Sequence, residues 1–168
     1  MSMVILEIPN IKGECKVKTK AKDFTGMILC DSLSQDMNVE MEVSTNARRT
    51  VHTPKVENLS LERKWDSASP KLISRLLRAQ TAEPWKIHCL KPLGDTQYQW
   101  AEFLTLELKD PLLAKHTLNV NEGDTTETLE INATQITWTY KQYDESQVHK
   151  GGGGVIFNLL TGLVTDAK

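Results

Sequence analysis

Side chains that could perform catalysis or bind a metal are scattered along this chain of 168 residues. An enzyme site needs a nucleophile, a base or metal ligands at matched positions, and the usual motifs of hydrolases, zinc proteases and phosphate-binding loops do not occur. The glycine run 151–154 lacks the lysine and the serine or threonine of a phosphate loop, so we predict a flexible hinge there. The histidines share no common spacing; they are His52, His88, His116 and His149. The pattern therefore indicates neither an enzyme nor a cofactor site.

The cysteines lie far apart and lack the spacing of a metal site or a redox pair. They are Cys15, Cys30 and Cys89, and we expect free thiols that are partly buried. The apolar run near the N-terminus is short and has no basic leader, which predicts synthesis in the cytoplasm without a cleaved signal peptide. Because no apolar run approaches the roughly 20 residues of a membrane-spanning helix, we expect no membrane insertion.

The overall composition is that of an ordinary globular protein, with 39% hydrophobic and 25% charged residues. The length fits a single domain, 1–168. A net charge of −2 provides no general attraction for nucleic acid. The tryptophans are spread along the chain, so we expect them to pack in a core or an interface and not to stack on bases.

Most of the chain is patterned for strands, and one stretch is patterned for a helix. We predict that this helix begins at Ser69, whose hydroxyl caps the first turn, and ends at about Gln80. Pro70 then occupies the first helical position, where its missing N–H costs nothing. An apolar stripe should close one side of the β structure; it comprises Leu72, Ile73, Leu76 and Leu77. Basic residues should face solvent or a neighbouring subunit; they are Lys71, Arg75 and Arg78.

The strand pattern predicts about eight strands in a closed barrel or a sandwich. Residues 97–108 give the clearest strand, and the proline at 111 ends the ladder that follows it. Residues 127–143 are also β-rich, and a change of apolar parity near 132–135 predicts a β-bulge there. The polar segment 42–53 has no hydrophobic period, which indicates an extended loop with a possible role as an interaction arm.

Several stretches, taken in order, resemble the Hcp proteins, the haemolysin-coregulated tube subunits of the bacterial type VI secretion system. The turn Gly13-Glu14 is similar to their KGE turn, and residues 66–72 look like the start of their helix. Residues 102–110 are similar to one of their strands, and 126–130 with 136–140 resemble a strand pair. Each motif alone is weak, and the ordered set covers nearly the whole chain.

The resemblance implies a two-sheet antiparallel β-barrel of about eight strands with one flanking helix. It implies a homohexameric ring with a wide lumen and stacked rings that form a tube without catalytic activity. The expected partners are a VgrG spike, a contractile sheath, baseplate proteins and secreted effectors in the lumen. The protein would be secreted to the exterior or into a target cell.

The resemblance also suggests where this chain makes its contacts. The 42–53 loop is often glycine-rich in relatives, whereas here it carries charge; the ring-stacking candidates in it are Arg48, Arg49, Thr50 and His52. Cys30 and Ser32 are the candidates for contact with the lumen and its effectors. The helix residues Lys71, Arg75 and Arg78 are the candidates for the contact between subunits.

Two other functions remain open at this point. A barrel of about eight strands can enclose one small ligand, so a small-ligand-binding β-barrel without catalytic activity is the alternative. The large residues expected inside argue for a filled interior; they are Trp85, Trp100, Phe103 and Trp138. A hydrolase whose site assembles from distant residues has no positive feature in the sequence.

Overall fold

A computed structural model describes residues 2–46, 48–80, 83–94, 100–143 and 149–167. Within these ranges the chain forms one helix, α1 (Ser69–Leu77), and fifteen strands. The strands are β1 (Met3–Glu7), β2 (Ile28–Cys30), β3 (Ser32–Ser34), β4 (Met37–Asn38), β5 (Met41–Val43), β6 (Arg49–Val51), β7 (Lys55–Val56), β8 (Leu59–Lys64), β9 (Trp85–Pro92), β10 (Trp100–Lys109), β11 (Leu112–Asn121), β12 (Asp124–Asn132), β13 (Gln135–Tyr143), β14 (His149–Asn158) and β15 (Val164–Ala167).

Two antiparallel sheets make up most of the fold. The larger sheet has the order β15-β14-β13-β10-β9-β1-β2, and the smaller has the order β11-β12-β8-β3. The chain passes from one sheet to the other at Asp31, whose N–H donates to the Glu62 carbonyl over 2.7 Å. The prediction of a mainly β, two-sheet antiparallel fold with one helix is confirmed. The described strands outnumber the expected eight, because turns divide the longer ones and residues 42–53 contribute to two more.

The main hydrophobic core lies between the inward faces of the two sheets. The side chains of β8 alternate between the core and the outside of the sheet. Leu59 and Leu61 are buried in the core, and Glu62, the next residue, is exposed. β1 is buried on both faces, because Leu6 enters the main core and Ile5 enters a second cluster under residues 15–24. β1 is therefore covered on both faces of the larger sheet.

The helix begins where the sequence predicts and ends three residues earlier than expected. Pro70 is the second residue of the helix, one position later than predicted, and still lies in the first turn, where its missing N–H costs nothing. The predicted cap is wrong, since no side chain caps the helix and the Ser69 hydroxyl instead donates to Glu127 over 2.8 Å. The turn before the helix is closed by Asp66, whose Oδ1 accepts from the Ala68 N–H over 2.8 Å. The Ser69 hydroxyl is therefore engaged in a buried hydrogen bond and does not cap the helix.

The apolar stripe of α1 is narrower than predicted. Leu72 is fully buried, and Ile73 and Leu76 are half-buried. Leu77 is 77% exposed, which contradicts the expectation that it closes the fold. At about 100° per residue Leu77 points roughly 140° away from Leu72 around the helix axis, so one packed face cannot bury both. α1 packs against β11.

Two local predictions are wrong, because pairing between strands decides the local structure at both places. The glycine run 151–154 is no hinge; it lies in β14 and pairs with residues 139–142 of β13. A Cβ added at Gly152 would lie 1.8 Å from the Tyr140 carbonyl oxygen, so glycine is required there. The predicted bulge near 132–135 is a turn, after which the chain leaves the smaller sheet (β12) for the larger one (β13). The strand predicted from 97 is β10, and residues 97–99 lie outside the described residues.

Candidate assembly surfaces

Residues 37–46 and 48–56 form a two-stranded ribbon that we call the arm. β4 pairs with β7 and β5 pairs with β6, so the extended loop predicted for 42–53 is a β-hairpin. Between these pairs the His52 N–H donates to the Glu40 carbonyl over 2.9 Å, and near the tip the Ser44 N–H donates to the Arg48 carbonyl over 2.8 Å. The ribbon reaches roughly 20 Å from its base at about 3.3 Å per residue.

The predicted ring-stacking residues all lie on the exposed outer half of the arm. Arg49 and Thr50 belong to β6, and Arg48 and His52 flank it. His52 Nε2 lies 3.6 Å from Glu42 Oε1, which is an ion pair when the histidine is protonated. The structure thus brings the four residues to one element, and their part in stacking stays a prediction.

One face of the arm is apolar and exposed. Met41 lies opposite Val51, and Val43 lies opposite Arg49, so these side chains share a face. Their exposed fractions are 55% for Met41, 58% for Val51 and 76% for Val43. Polar Glu40 and Glu42 alternate with them, as a period of two requires. Clustered exposed apolar side chains of this kind mark an interaction surface.

The base of the arm is anchored on the larger sheet. The Trp138 Nε1–H donates to Gln35 Oε1 over 3.0 Å. Farther out, residues 53–57 lie across a shallow cavity from the turn that joins β14 to β15, which includes Leu160 and Gly162. The arm therefore leaves the body at the end of the sheet where β14 ends and β13 begins.

A cavity of about 580 Å³, which we call the end cavity, lies at the opposite end of the same strands. Leu93 follows β9, Trp100 and Ala101 begin β10, and Tyr143 ends β13, so these lining residues share one end of the sheet. Phe24, fully buried, also lines it. Lysines at its edge include Lys20. The cavity thus has an apolar and aromatic part and a charged part, to which Lys22, Glu102 and Lys141 contribute.

A partly buried charge cluster forms part of the wall of the end cavity, since Lys22, Glu102 and Lys141 line it. His88 Nδ1 lies 2.5 Å from Glu102 Oε2, and His88 Nε2 lies 2.7 Å from Glu7 Oε2. Lys141 Nζ donates to Glu102 over 2.7 Å, and Lys22 Nζ donates to Glu7 over 2.9 Å. Burial alone would raise the pKa of Glu102, but the bonds from His88 and Lys141 lower that pKa to about 2. Because carboxylates occupy both nitrogens of the ring, the cluster connects strands and offers no free base.

A second buried cluster fixes the start of the helix. Arg63 is 1% exposed and forms ion pairs with Glu127 and, over 2.6 Å, with Asp66. His116 Nε2 lies 2.6 Å from the other oxygen of Glu127, and the Ser69 hydroxyl donates to the same carboxylate. Every charge in the cluster therefore has a partner, which is what burial of an ion pair requires.

The exposed side of α1 carries a basic stripe. Lys71, Arg75 and Arg78 follow at helical spacing, and they line one shallow concavity with Asn10. In the described part of the chain none of the three basic side chains forms an ion pair or a side-chain hydrogen bond. In the described structure the stripe has no partner inside the subunit, and the exposed Leu77 lies about 100° or more away from it around the helix axis.

A family comparison identifies the kind of protein that carries these surfaces. The profile of a family described as type VI secretion system effector, Hcp, matches residues 5–140. The chain belongs to the Hcp family. The resemblance inferred from the sequence motifs is thereby confirmed, and the family consists of structural, secreted type VI secretion proteins. A search of curated protein sequences finds no match.

Solved structures share the Hcp fold at low sequence identity. One described as a type six secretion system protein is 15% identical, with a TM-score of 0.82 and coverage of 98% of this chain and 100% of that chain. Hcp1 from Salmonella typhimurium is 16% identical, with a TM-score of 0.72 and coverage of 98% and 99%. Hcp3 from Pseudomonas aeruginosa is 11% identical, with a TM-score of 0.56 and coverage of 94% and 96%. At these identities the likeness shows the fold alone.

The two lumen candidates of this Hcp chain have different positions. Cys30 is 3% exposed and belongs to the main core, where burial raises the pKa of its thiol to about 12. It therefore lines no surface of the subunit, which corrects the prediction. Ser32 is exposed on β3, paired with Glu62 of β8. The bend at Asp31, where the chain changes sheets, turns positions 30 and 32 in different directions despite their shared parity.

Grouped metal ligands and membrane-spanning helices are both absent from the described residues of this Hcp chain. In those parts no three side chains of the histidine, cysteine, aspartate or glutamate types are grouped as metal ligands. No helix there has the length and apolar character needed to cross a bilayer. Cys15, Cys30 and Cys89 are free and buried, as the sequence predicts.

Sequence reasoning missed both buried clusters and the end cavity. Arg63 did leave a signal, because it follows Leu59 and Leu61 at the inward period of β8. A charged residue at an inward position needs a buried partner, but nothing in the spacing points to Glu127, which is 64 residues away. The end cavity left no signal, since its lining comes from separate strands and loops.

Proposed function

We propose that this chain is a structural subunit of the type VI secretion inner tube. As a single domain, it assembles into hexameric rings, the rings stack, and effectors travel in the lumen. The observation that supports this proposal is the arm of this Hcp family member, a projecting ribbon whose apolar face is exposed in the single subunit. An exposed apolar surface of this kind is typical of a contact with another molecule. The contractile sheath, baseplate proteins and the VgrG spike are the other partners of such a tube.

The candidate residues take specific roles in this assembly. The arm stacks rings through Arg48, Arg49, Thr50 and His52. The basic stripe of α1, formed by Lys71, Arg75 and Arg78, contacts the neighbouring subunit. Ser32 faces the lumen and its cargo. A closed ring needs two different faces of the subunit to meet, and the stripe supplies one of them. Synthesis in the cytoplasm precedes secretion without a cleaved signal peptide.

The buried histidines support a role without catalysis. Both nitrogens of His88 lie against carboxylates, and His116 lies against Glu127, which also accepts from Arg63. A general base must reach the proton it removes, and these rings are already committed to structural contacts. The clusters therefore stabilise the strands that present the assembly surfaces.

Native mass spectrometry together with negative-stain electron microscopy tests the proposal. We expect the mass of a hexamer of the 18.9 kDa chain and ring-shaped particles. A protein that stays monomeric at every accessible concentration, with no rings, would contradict it.

The end cavity favours one alternative, a small-ligand-binding β-barrel without catalytic activity. At about 580 Å³ its volume lies within the range of small-molecule sites. A ligand bound there by a protein that remains monomeric would support this alternative. Rings with an empty cavity would support the tube subunit.

A further inference from the structure

The end cavity is a preformed space to which the proposed tube function assigns no role. One wall is the turn at residues 19–22, in which the Thr19 hydroxyl donates to the Lys22 carbonyl over 3.1 Å and accepts from the Lys22 N–H over 3.0 Å. Another wall includes Tyr143, whose hydroxyl donates to the Glu102 carbonyl over 2.7 Å. Because hydrogen bonds to the backbone fix both walls, the cavity has its shape before any ligand binds.

The apolar part of the lining suits an aromatic ring. Phe24 is fully buried, Trp100 and Tyr143 are half-buried, and Leu93 adds an aliphatic side chain. An aromatic ligand can stack on these rings or meet them edge to face, and such pairs contribute energy beyond the area that they bury. The volume of about 580 Å³ lies in the range of sites for small organic molecules.

The lysines of the lining have hydrogen-bond donors to spare. Lys22 donates to Glu7 over 2.9 Å and Lys141 donates to Glu102 over 2.7 Å. An ammonium group has three N–H donors, so each of these lysines has further donors for a ligand. Lys20 also lines the cavity; it is exposed and forms no ion pair in the described part of the chain. The charged part of the cavity can therefore donate several charge-assisted hydrogen bonds to an anion.

The carboxylate of the lining is already occupied, so the cavity does not suit a cation. Glu102 is the acidic residue among the described residues that line the cavity. Its two oxygens lie 2.5–2.9 Å from donor groups of His88, Lys141 and Thr105. Even with Glu7 counted, three lysines meet two carboxylates, and the surplus charge beside the aromatic rings is positive.

The aromatic part and the basic part together define the ligand. We propose that the end cavity binds a small organic anion in which a negatively charged group is joined to an extended aromatic body. The aromatic body lies against Trp100 and Tyr143, and the anionic group accepts from Lys20, Lys22 and Lys141. The site lies within one subunit, so it does not depend on the formation of rings.

Fluorescence titration of the full chain with two dyes tests this proposal. Anilinonaphthalene sulfonate carries an anionic group on an extended aromatic body, and phenylnaphthylamine has the same body without the charge. We expect saturable binding of one sulfonate dye per chain, with the uncharged dye about tenfold weaker, because it loses the charge-assisted hydrogen bonds. Equal affinities for the two dyes would overturn the proposal, since the lysines would then contribute nothing to binding.

Variants of the cavity and of the arm locate the bound dye. The arm is the matched control, because Val43 and Arg49 also place an exposed apolar side chain beside a cation. Trp100→Ala should weaken sulfonate binding about two- to tenfold, and Lys20→Gln should weaken it about two- to fivefold. Lys20→Arg, which retains the charge, should retain the affinity. Val43→Ser and Arg49→Gln should leave the affinity unchanged.

The melting temperature of each variant shows whether it is folded. If Trp100→Ala fails to fold, Lys20→Gln decides the result, because that side chain is exposed. Weaker binding in the arm variants alone would place the dye on the arm, and unchanged binding in the cavity variants would place it outside the cavity; either result overturns the proposal. Electron microscopy of the unmodified protein tests the tube function separately, so the two can fail independently.

Discussion

The Ser69 hydroxyl donates to Glu127 Oε1 over 2.8 Å, so the first residue of the helix is tied to a strand of the smaller sheet. Arg63 reaches the same carboxylate oxygen from the adjacent strand. The helix is therefore held at its start by buried polar contacts and along its length by Leu72. This arrangement fixes which face of the helix stays free for a partner.

Replacing Glu127 should destabilise the subunit. Glu127→Ala removes the buried partner of Arg63, His116 and Ser69, and breaking a buried ion pair costs about 3–5 kcal/mol. Urea denaturation should show this loss in the free energy of unfolding. Glu130→Ala, a half-buried carboxylate in the same strand, is the control and should change the free energy by about 0.5 kcal/mol or less. Equal effects of the two would contradict the structural role of the cluster.

Two leucines of the helix should behave differently. Leu72→Ala creates a cavity in the main core and should cost about 2–5 kcal/mol in the free energy of unfolding. Leu77→Ala should leave the unfolding of the monomer nearly unchanged, because that side chain is 77% exposed. Thermal denaturation of both variants decides between this packing and the wider stripe that the sequence predicts. A comparable loss for Leu77→Ala in the monomer would favour the wider stripe.

Stability should fall in acid because of Glu102. Its pKa in the folded state is about 2, below the usual 4.5, so the stabilisation is complete above pH 4.5 and is lost as the pH falls towards 2. A shift of this size corresponds to about 3 kcal/mol at neutral pH. Glu7, whose pKa is also lowered, contributes in the same direction. Melting temperatures between pH 7 and pH 2 measure the loss.

Glu102→Gln is the test variant for this pH dependence. It should be less stable at pH 7, because His88 and Lys141 lose their charged partner, and its stability should change less between pH 4.5 and pH 2. Asp110→Gln, which alters an exposed carboxylate, should retain the pH dependence of the unmodified protein. The same dependence of stability on pH in all three proteins would exclude Glu102 as its source.

Charge reversal on the basic stripe should separate folding from assembly. Arg75→Glu should leave the melting temperature of the monomer within a few degrees, since Arg75 forms no ion pair in the described structure. It should lower the hexamer fraction measured by native mass spectrometry if the stripe contacts a neighbouring subunit. Lys64→Glu, an exposed reversal on β8, is the control. Unchanged hexamers in Arg75→Glu would remove the stripe from the subunit contact.

Charge reversal on the arm should affect stacking alone. Arg48→Glu with Arg49→Glu should leave rings intact and shorten the tubes seen by electron microscopy, because both side chains are exposed on the arm and away from the body. Added salt should reduce the difference from the unmodified protein, as it screens exposed charges. Tubes of unchanged length would exclude a role for these two arginines.

The sequence alone determined the features that depend on local patterns. Alternation of apolar and polar side chains indicated the strands, and Pro70 with the apolar spacing that follows indicated the helix. The order of motifs was sufficient to indicate the family. These signals are carried by neighbouring residues, so one sequence shows them without reference to any distant part of the chain.

Only the tertiary structure decided which surfaces are buried and which remain free. Cys30 and Ser32 share a parity, yet the change of sheets at Asp31 buries one and exposes the other. Arg63 is stable inside the fold because Glu127 arrives from a strand far along the chain. The arm and the end cavity likewise lie at opposite ends of the sheet because of how its strands are ordered. Local pattern sets the type of each element, whereas pairing over long separations sets its partners and therefore its exposed face.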